Sequence, residues 1–294
     1  MIKKTLYFSR ECSLSLKDLQ LKIHFMDDDT SRSIPIEDIG FMVIENHRIT
    51  MTMPLIAFLS ENNVAVVFTD SHKMPVSMLM TLDSNSVQQE VFREQIDASV
   101  PMNKNLWKQV VTAKIMNQAR LLEKLGKDAS SLYYYAGNVR SGDADNREGV
   151  AARRYWSLLF GEGFIRDKNG GPPNNMLNYG YSILRSAVAR SLAGSGLLPT
   201  IGIFHRNRYN SFPLADDMME PFRPFLDEIV FNIYENGETE LTKDVKSYIL
   251  GVLTCDVNIG DGQKPLMVGL SSTTASLAKC YLGDSRKLVL PELR

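Results

Sequence analysis

The amino-acid sequence predicts an α+β protein in which a small β-rich domain, residues 1–85, precedes a larger all-α domain, residues 86–294. The 294 residues are 44% hydrophobic and 23% charged, which is an ordinary globular composition in a chain long enough for two cores. Short apolar runs dominate the first domain. After Asp83-Ser84-Asn85 the apolar residues recur at helical spacing instead, which places the domain boundary there.

The first domain contains several segments of strand length. Residues 19–25 alternate between apolar and polar side chains, so one face of this strand would pack on a core. Further strands are predicted at residues 34–36, 41–44, 49–53 and 64–68. Pro54 suits the first turn of a helix, and the apolar residues that follow it could cover the sheet.

The second domain is predicted to be helical. Amphipathic spacing favours helices over residues 86–98, 104–125, 145–160, 174–193, 214–235, 242–253 and 271–282. A loop rich in glycine and proline, residues 161–173, separates two polar clusters at residues 143–149 and 204–224. Helix packing must therefore bring these two clusters together.

The composition argues against a membrane or secreted protein. No apolar run approaches the roughly 18 residues of a membrane span, and Arg10 and Glu11 come too early for a signal peptide. Cys12, Cys255 and Cys280 are widely separated and lack C-x-x-C spacing, so we expect reduced thiols rather than a zinc or redox site. These features predict a cytoplasmic protein with no membrane partner.

The charge of the chain is unevenly distributed. The formal net charge is -1, yet residues 138–224 contain 11 Lys and Arg against 8 Asp and Glu, and ten of the eleven are arginine. Residues 1–85 contain 8 basic residues against 11 acidic ones. Arginine is favoured where a planar fork must grip phosphate oxygens in pairs, so the middle of the chain is predicted to face an anion. Helix-surface arginines in solvated salt bridges are the alternative explanation.

Glu148 lies near the first turn of the helix predicted to begin around Asp145. A carboxylate there offsets the positive end of the helix dipole, which by itself is an adequate structural explanation. The neighbouring Arg147, Arg153 and Arg154 are superfluous for a helix cap, but they suit a metal ligand beside bound phosphates. The pattern therefore indicates a candidate metal ligand at Glu148.

His205 and Glu220 belong to the second polar cluster. His205 is the only histidine of residues 86–294 and follows an apolar run, where a lone histidine is commonly a boundary residue with satisfied hydrogen bonds. Glu220 falls within a predicted helix capped by Asp216 and Asp217, with Asp217 about one turn before it on the same face. Capping explains either aspartate more readily than Glu220, and the two clusters together indicate a metal site for phosphate chemistry.

Other familiar motifs fail on their spacing. Asp143 and Asp145 could open an EF-hand loop, but Arg147 and Glu148 stand where an oxygen ligand and a glycine are needed. Residues 194–196 form a G-x-G without the third glycine or the preceding strand of a dinucleotide-binding motif, and there is no G-x-x-x-x-G-K-[ST] phosphate loop or G-x-S-x-G nucleophile motif. A nucleotide-binding fold and a side-chain nucleophile are therefore unsupported.

Several linked motifs resemble those of Cas1, the CRISPR-associated integrase and endonuclease family. They are, in chain order, NREG at 146–149, AARRYW at 151–156, LNYGY at 177–181, the His205 loop and LADDMMEPFRP at 214–224. Segments 34–39 and 68–70 are similar to that family's β-domain, so the resemblance covers nearly the whole chain. The compact length and the MEPFRP form look most like the type II branch of the family.

This resemblance implies a divalent-metal site, for Mg²⁺ or Mn²⁺, formed by Glu148, His205 and Glu220. It also implies a homodimer formed through residues 1–85, which joins Cas2 in a heterohexameric complex, with the RNA-guided effector nuclease as a further candidate partner. Such a complex inserts short foreign DNA at the CRISPR leader-repeat junction. The arginines that we expect to contact this DNA are Arg147, Arg153, Arg154, Arg185, Arg206, Arg208 and Arg223.

The implied reaction agrees with the residues. In transesterification the nucleophile is a DNA 3′-OH, so the protein needs no serine or cysteine; it needs a metal that lowers the pKa of the hydroxyl and holds the phosphate. Two other hypotheses remain open. One is a metal-dependent nuclease that hydrolyses DNA with water, and the other is a non-catalytic DNA-binding scaffold.

Overall fold

The computed structural model describes residues 3–81 and 84–294, and the chain divides into two compact units, Met1–Ser84 and Asn85–Arg294. Asp83, in the predicted boundary segment, lies outside the described residues, as do Met1 and Ile2 at the chain start. Strands dominate the first unit and helices dominate the second, which confirms the α+β class. The dimerisation role of residues 1–85 and the catalytic role of residues 86–294 stay predictions.

Two four-stranded sheets and one helix build the described part of the first unit. The strands are β1 (Lys4–Phe8), β2 (Cys12–Lys17), β3 (Gln20–Phe25), β4 (Ser31–Pro35), β5 (Ile39–Ile44), β6 (Thr50–Met51), β7 (Ala65–Thr69) and β8 (Pro75–Leu79). One sheet has the order β1-β5-β7-β8, with β1, β5 and β7 parallel and β8 antiparallel. The other has the order β4-β3-β2-β6, and helix α1 spans Met53–Glu61.

The core of this unit explains which strands were visible in the sequence. β5 is buried along its whole length between two parallel neighbours, so it reads as a continuous apolar run. β3 buries Leu21 and Ile23 on one face, as its alternation predicted, but Leu19 precedes the strand in a turn with φ of 58° and is exposed. Pro54 lies in the first turn of α1, as expected. Strands β1, β2 and β8 were not predicted, although β2 alternates Cys12, Leu14 and Leu16 with polar residues in the same way as β3.

Nine helices and one hairpin form the described part of the second unit. The helices are α2 (Gln88–Ile96), α3 (Val100–Lys124), α4 (Ser130–Gly137), α5 (Arg147–Phe160), α6 (Asn174–Gly194), α7 (Pro213–Met219), α8 (Arg223–Glu235), α9 (Lys243–Leu250) and α10 (Leu266–Tyr281). Strands β9 (Asp256–Ile259) and β10 (Gly262–Pro265) pair antiparallel.

Three features of this unit differ from the sequence prediction. The hairpin departs from the expected all-α domain, and its Gly260-Asp261 turn is flanked by too few apolar residues to stand out in the sequence. Helix α4 was missed. The single helix predicted over 214–235 is broken by a 3-10 turn, Glu220–Phe222, because Pro221 and Pro224 lack the backbone N–H that a continuous helix would use.

No helix in the parts of the chain that the structure describes combines the length and apolarity needed to cross a membrane. All three cysteines are free, as the absence of paired spacing predicted. Burial raises the pKa of the Cys255 thiol to about 12 and also raises the pKa of Cys280. These two thiols are therefore poor nucleophiles at neutral pH.

The glycine of the LNYGY motif has a packing role. A Cβ at Gly180, on α6, would lie 2.6 Å from both methyl groups of Leu226 on α8. Leu226 is fully buried and belongs to the same helix as Arg223, so α8 can approach α6 closely only where residue 180 lacks a side chain.

We expect Gly180→Ala to lower the free energy of unfolding by about 1–3 kcal/mol, because the added methyl group overpacks this contact. Gly137→Ala is the matched control, since nothing lies within 4 Å of its Cβ position at the exposed end of α4. That variant should be neutral or more stable by up to about 1 kcal/mol. Thermal unfolding of both variants checks the difference, and equal stability would contradict the packing explanation.

Candidate active site

One face of α3 forms the wall of the candidate site. Trp107 and Lys114 are seven residues, or about two turns, apart, so they lie on the same face, and both are buried. Asn117, one turn further on, is fully buried as well. Its amide donates to the carbonyl oxygens of Pro221 (2.9 Å) and Pro291 (3.0 Å), which ties the turn after Glu220 to the C-terminal segment.

Glu148 is held at the start of α5 by Asp143. One carboxylate oxygen of Asp143 accepts from the backbone N–H of Arg147 (2.7 Å), and the other accepts from that of Glu148 (3.0 Å). The side chain of Asn146, in the left-handed conformation, caps the helix by accepting from Gly149. The predicted position of Glu148 in the first turn is confirmed, but it is Asp143 and Asn146 that satisfy the helix N-terminus.

Glu220 lies where α7 ends and the 3-10 turn begins. Its side chain is 4% exposed, and Nε of Arg223 lies 2.9 Å from Oε1. Although burial favours the neutral acid, the positive charges of Arg223 and Lys114 lower the pKa of Glu220 below its ordinary value. Glu220 is therefore a buried carboxylate at neutral pH.

Lys114 joins the two glutamates. Its Nζ lies 2.7 Å from Oε1 of Glu148 and 2.5 Å from Oε2 of Glu220. Burial would lower the pKa of Lys114, but the negative charges of Glu220 and Glu148 outweigh it and raise the pKa. The ammonium is therefore charged and bridges two carboxylates that come from different polar clusters of the sequence.

Asp217 positions His205. Its fully buried carboxylate accepts hydrogen bonds from the backbone N–H groups of Ile203 (2.6 Å), Phe204 (3.0 Å) and His205 (3.3 Å). Nδ1 of His205 donates to the same carboxylate over 2.6 Å, which leaves Nε2 as the free ring nitrogen. This hydrogen bond raises the pKa of His205 against the opposing effect of burial.

The His205 loop needs a glycine. A Cβ at Gly202 would lie 2.5 Å from the carbonyl oxygen of His205 and 2.9 Å from Oδ2 of Asp217, so only glycine lets the loop close over the carboxylate. The structure corrects the interpretation of Asp216 and Asp217 as caps. Helix α7 begins at Pro213 without a side-chain cap, and Asp216 pairs instead with Arg185, whose Nε lies 2.8 Å away.

Aromatic rings surround the imidazole. Trp107 and Phe204 stack with centroids 4.5 Å apart and planes nearly parallel, and both meet the His205 ring edge-on at about 6 Å, with centroids 5.7 and 5.6 Å away. Trp107 is buried whereas Phe204 is exposed, so the stack leads from the core to the surface beside His205.

A buried polar network lies behind Arg223. Asp227 accepts a hydrogen bond from the hydroxyl of Tyr155 (2.8 Å) and a short one from that of Tyr181. The guanidinium of Arg223 lies 4.3 Å from the centre of the Tyr181 ring while it pairs with Glu220. The network thus connects α5, α6 and α8 to the carboxylate of Glu220.

The arginines predicted to contact DNA fall into two groups. Arg185 and Arg223 are held internally by Asp216 and Glu220, and Arg147 is half-buried with its guanidinium 6.0 Å from the centre of the Tyr135 ring. The other four are exposed; these are Arg153, Arg154, Arg206 and Arg208. Their contact with DNA stays a prediction.

Lys114 was not predicted as a site residue, although the pattern of α3 in the sequence indicates it. The buried face of α3 carries Trp107, Val110, Lys114, Gln118 and Leu121 at helical spacing. The sequence therefore places a lysine in a stripe of residues that faces the interior. A lysine in such a position is rarely buried unless it is paired, which points to buried carboxylates on neighbouring elements. Asn117 and Asp227 gave no comparable signal.

The candidate site contains the types of donor atom that a divalent ion prefers. As positioned, no three His, Cys, Asp or Glu side chains among residues 3–81 and 84–294 form a group that could hold a metal. The chemistry of the donors nevertheless fits, because Glu148 and Glu220 already converge on one cation and Nε2 of His205 is free of Asp217. Carboxylate oxygens suit Mg²⁺, and an imidazole makes Mn²⁺ acceptable.

Comparison with known proteins places the chain in a family. The family model "CRISPR associated protein Cas1" matches residues 6–252. The chain belongs to the Cas1 family. The "CRISPR-associated endonuclease Cas1" of Neisseria meningitidis serogroup C (strain 8013) is 35% identical over 298 residues, which cover 100% of this chain and 97% of that relative. The family resemblance of the sequence motifs is thereby confirmed.

Solved structures share the fold of this Cas1 chain. "Casposase bound to integration product" aligns with a TM-score of 0.78 at 20% identity, over 98% of this chain and 92% of that one. A chain of a "Cas6-RT-Cas1--Cas2 complex" aligns with a TM-score of 0.73 at 20% identity, over 99% of this chain and 36% of that one. At 20% sequence identity, the structural similarity to these two chains establishes the fold alone.

We expect Asp217→Asn to lower the pKa of His205 by about one unit or more, because an amide no longer stabilises the imidazolium as the carboxylate does. NMR titration of the histidine rings measures this change. Asp216→Asn, which alters the partner of Arg185 instead, is the control and should leave the His205 pKa in place. An unchanged pKa in Asp217→Asn would remove Asp217 as the cause.

The buried network predicts a pH dependence of stability. Burial raises the pKa of Asp227 to about 6, although the hydrogen bonds from Tyr181 and Tyr155 oppose the rise. The folded state therefore binds this proton more tightly than the unfolded chain, so the carboxylate costs stability as the pH rises from about 4 to about 6.

Relative to the wild type, Asp227→Asn should gain on the order of 1–3 kcal/mol between pH 4 and pH 7, since asparagine does not ionise. Urea unfolding of both proteins at several pH values in this interval measures the difference. Asp256→Asn, at an exposed carboxylate, is the control. A constant difference between Asp227→Asn and wild type across the interval would contradict the assignment.

Proposed function

We propose that this chain is a metal-dependent DNA integrase of CRISPR adaptation, which inserts short foreign DNA at the leader-repeat junction by 3′-OH transesterification. The observation that carries the proposal is the convergence of Glu148 and Glu220 on one cation beside His205. The membership in the Cas1 family and the fold shared with a casposase bound to its integration product support the reaction type.

Glu148, Glu220 and Nε2 of His205 would hold Mg²⁺ or Mn²⁺. When bound, the ion lowers the pKa of the attacking hydroxyl and neutralises charge on the phosphate. The other residues of the site keep these ligands in place: Asp143 fixes the start of α5, Arg223 pairs with Glu220, and Asp217 fixes the ring of His205.

The substrate would supply the nucleophile. The thiols of Cys255 and Cys280 have raised pKa values because they are buried, so they are poor attacking groups. A DNA 3′-OH placed at the site needs only activation and alignment, which carboxylates, imidazole and metal can provide.

The partners follow from the family. A homodimer formed through residues 1–85, joined by Cas2 in a heterohexamer, would present two such sites to the DNA. The shared fold with a chain of a Cas1–Cas2 complex supports Cas2 as the partner. The type II resemblance adds the RNA-guided effector nuclease as a candidate partner.

Hydrolysis of DNA by a metal-bound site is the second candidate function. The relative from Neisseria meningitidis is named an endonuclease, and the same ligands could activate water instead of a 3′-OH. A non-catalytic scaffold is the third, and it requires that loss of Glu148 or Glu220 leave DNA joining intact.

A strand-transfer assay separates these functions. The protein, Cas2, a labelled short duplex and a supercoiled target with leader and repeat are incubated with Mn²⁺ or Mg²⁺. Label should enter the target from 3′-OH ends and not from dideoxy ends, because the missing hydroxyl is the nucleophile. Nicking without any joined product would favour the nuclease instead.

In the same assay, we expect Glu148→Gln, His205→Ala and Glu220→Gln each to lower joining to about 1% of wild type or less. The glutamine substitutions remove the charge of a candidate ligand at nearly constant volume, and the alanine substitution removes the imidazole, whose side chain is 39% exposed. Glu162→Gln, an exposed glutamate in the loop between the two polar clusters, is the control and should join normally. Full joining by any ligand variant would exclude that residue from the site.

DNA affinity should depend on the exposed arginines of the second unit. The double variant Arg153→Glu/Arg154→Glu should bind DNA duplexes more weakly than wild type, by about the same factor for unrelated sequences. The salt dependence of its binding should also be shallower. Arg32→Glu/Arg48→Glu makes the same charge change on exposed residues of the first unit and serves as the control. Fluorescence anisotropy between about 50 and 200 mM salt measures the DNA affinity of both double variants and of wild type. A wild-type affinity that does not change with salt concentration would contradict contact with phosphates.

A further inference from the structure

We propose that the ammonium of Lys114 is a built-in counterion that occupies the place between Glu148 and Glu220 when no metal is bound, and that a divalent ion must displace it. The inference rests on the proposed metal-dependent function. It assigns a role to a residue that is neither a metal ligand nor one of the arginines expected to contact DNA.

The geometry makes Lys114 a bridge rather than an ordinary ion pair. Its Nζ contacts one oxygen of each glutamate, at 2.7 and 2.5 Å, and its side chain is only 10% exposed. The lysine is anchored two turns after Trp107 on the buried face of α3, so the ammonium is delivered to this point by a rigid element. A cation that lies between both carboxylates competes with a second cation for the same oxygens.

The charges around the bridge explain why a counterion is needed. Glu148 and Glu220 both contact the same ammonium, so they would repel each other if both were ionised without a cation between them. Lys114 and Arg223 together balance the two negative charges, and Arg223 stays on Oε1 of Glu220 while Lys114 takes Oε2. The ligands are therefore held close together before any metal arrives.

The same balance implies competition. A divalent ion that enters while Lys114 remains in place would meet an already neutral site, so binding requires the ammonium to leave at least one carboxylate. The affinity of the free protein for the ion is then lower than the carboxylates alone would give. The ion in turn replaces the stabilising contact that the ammonium gives up.

Removal of the charge should show both effects. We expect Lys114→Met to bind Mn²⁺ at least about tenfold more tightly than wild type, as followed by EPR of the free ion in the absence of DNA. Without metal this variant should unfold at a lower temperature than wild type, because two carboxylates have lost their counterion. Addition of Mn²⁺ should raise its melting temperature by more than it raises that of wild type.

Lys124→Met is the matched control. Lys124 lies on the same helix and pairs with Glu228 over 2.6 Å, far along α3 from the glutamates of the site. Its loss should change neither the Mn²⁺ affinity nor the stabilisation by Mn²⁺. Lys114→Gln provides a second test without the charge if the methionine variant does not fold in metal-free buffer.

The outcomes separate the counterion from other roles. Equal or weaker Mn²⁺ binding in the Lys114 variants would overturn the inference, and so would failure of Mn²⁺ to restore folded protein where the metal-free variant does not fold. A wild type that neither binds Mn²⁺ nor joins DNA with any ion would instead overturn the proposed function. Normal joining and metal binding by wild type, with unaltered binding in the variants, would remove only the counterion role.

Discussion

The second unit is organised around one electrostatic constraint: two carboxylates from distant parts of the chain are brought together in a largely buried place. Like charges that are poorly hydrated must be compensated, and the compensation here comes from Lys114 on α3. The bridge ties α3 to the start of α5 and to the turn between α7 and α8. Loss of one partner from such a buried pair typically costs about 3–5 kcal/mol, so the geometry of the site and the stability of the unit are linked.

The outer layers of the site repeat this constraint. Arg223 completes the charge balance of Glu220 and is in turn placed over the Tyr181 ring, whose hydroxyl donates to Asp227. Asp217 likewise pairs with the ring of His205, and it also fixes the backbone of the His205 loop. Each candidate ligand is thus held by a buried partner of opposite charge or polarity. Such support is required to keep ligands in position while ions and substrate exchange.

The sequence predicted those features that depend on local pattern. Burial on both faces made β5 a plain apolar run, and Pro54 marked a helix start, so both were recognised. The family motifs indicated Glu148, His205 and Glu220, which the structure places around one helix face, although their role as ligands stays a prediction. No family motif marked Lys114, Asn117 or Asp227. The spacing of α3 indicates that Lys114 is buried, but the roles of all three residues depend on partners 34 to 174 residues away along the chain, which a local pattern does not reveal. The break at Glu220 was hidden by helix-like spacing, and only Pro221 and Pro224 signalled it.

The exposure of the three candidate ligands differs in a way that bears on how a substrate reaches them. Glu220 is 4% exposed and is fixed by two cations, whereas the side chains of Glu148 and His205 keep 20% and 39% of their surface accessible. A ligand that is buried and doubly paired can set the position of an ion but cannot meet a bulky substrate. The accessible side, beside His205, also carries Phe204, Arg206 and Arg208 at the surface. Flat rings and arginines suit bases and phosphates respectively, so the proposed contact with DNA is predicted on this side, whereas Glu220 is held in the interior by its two cationic partners.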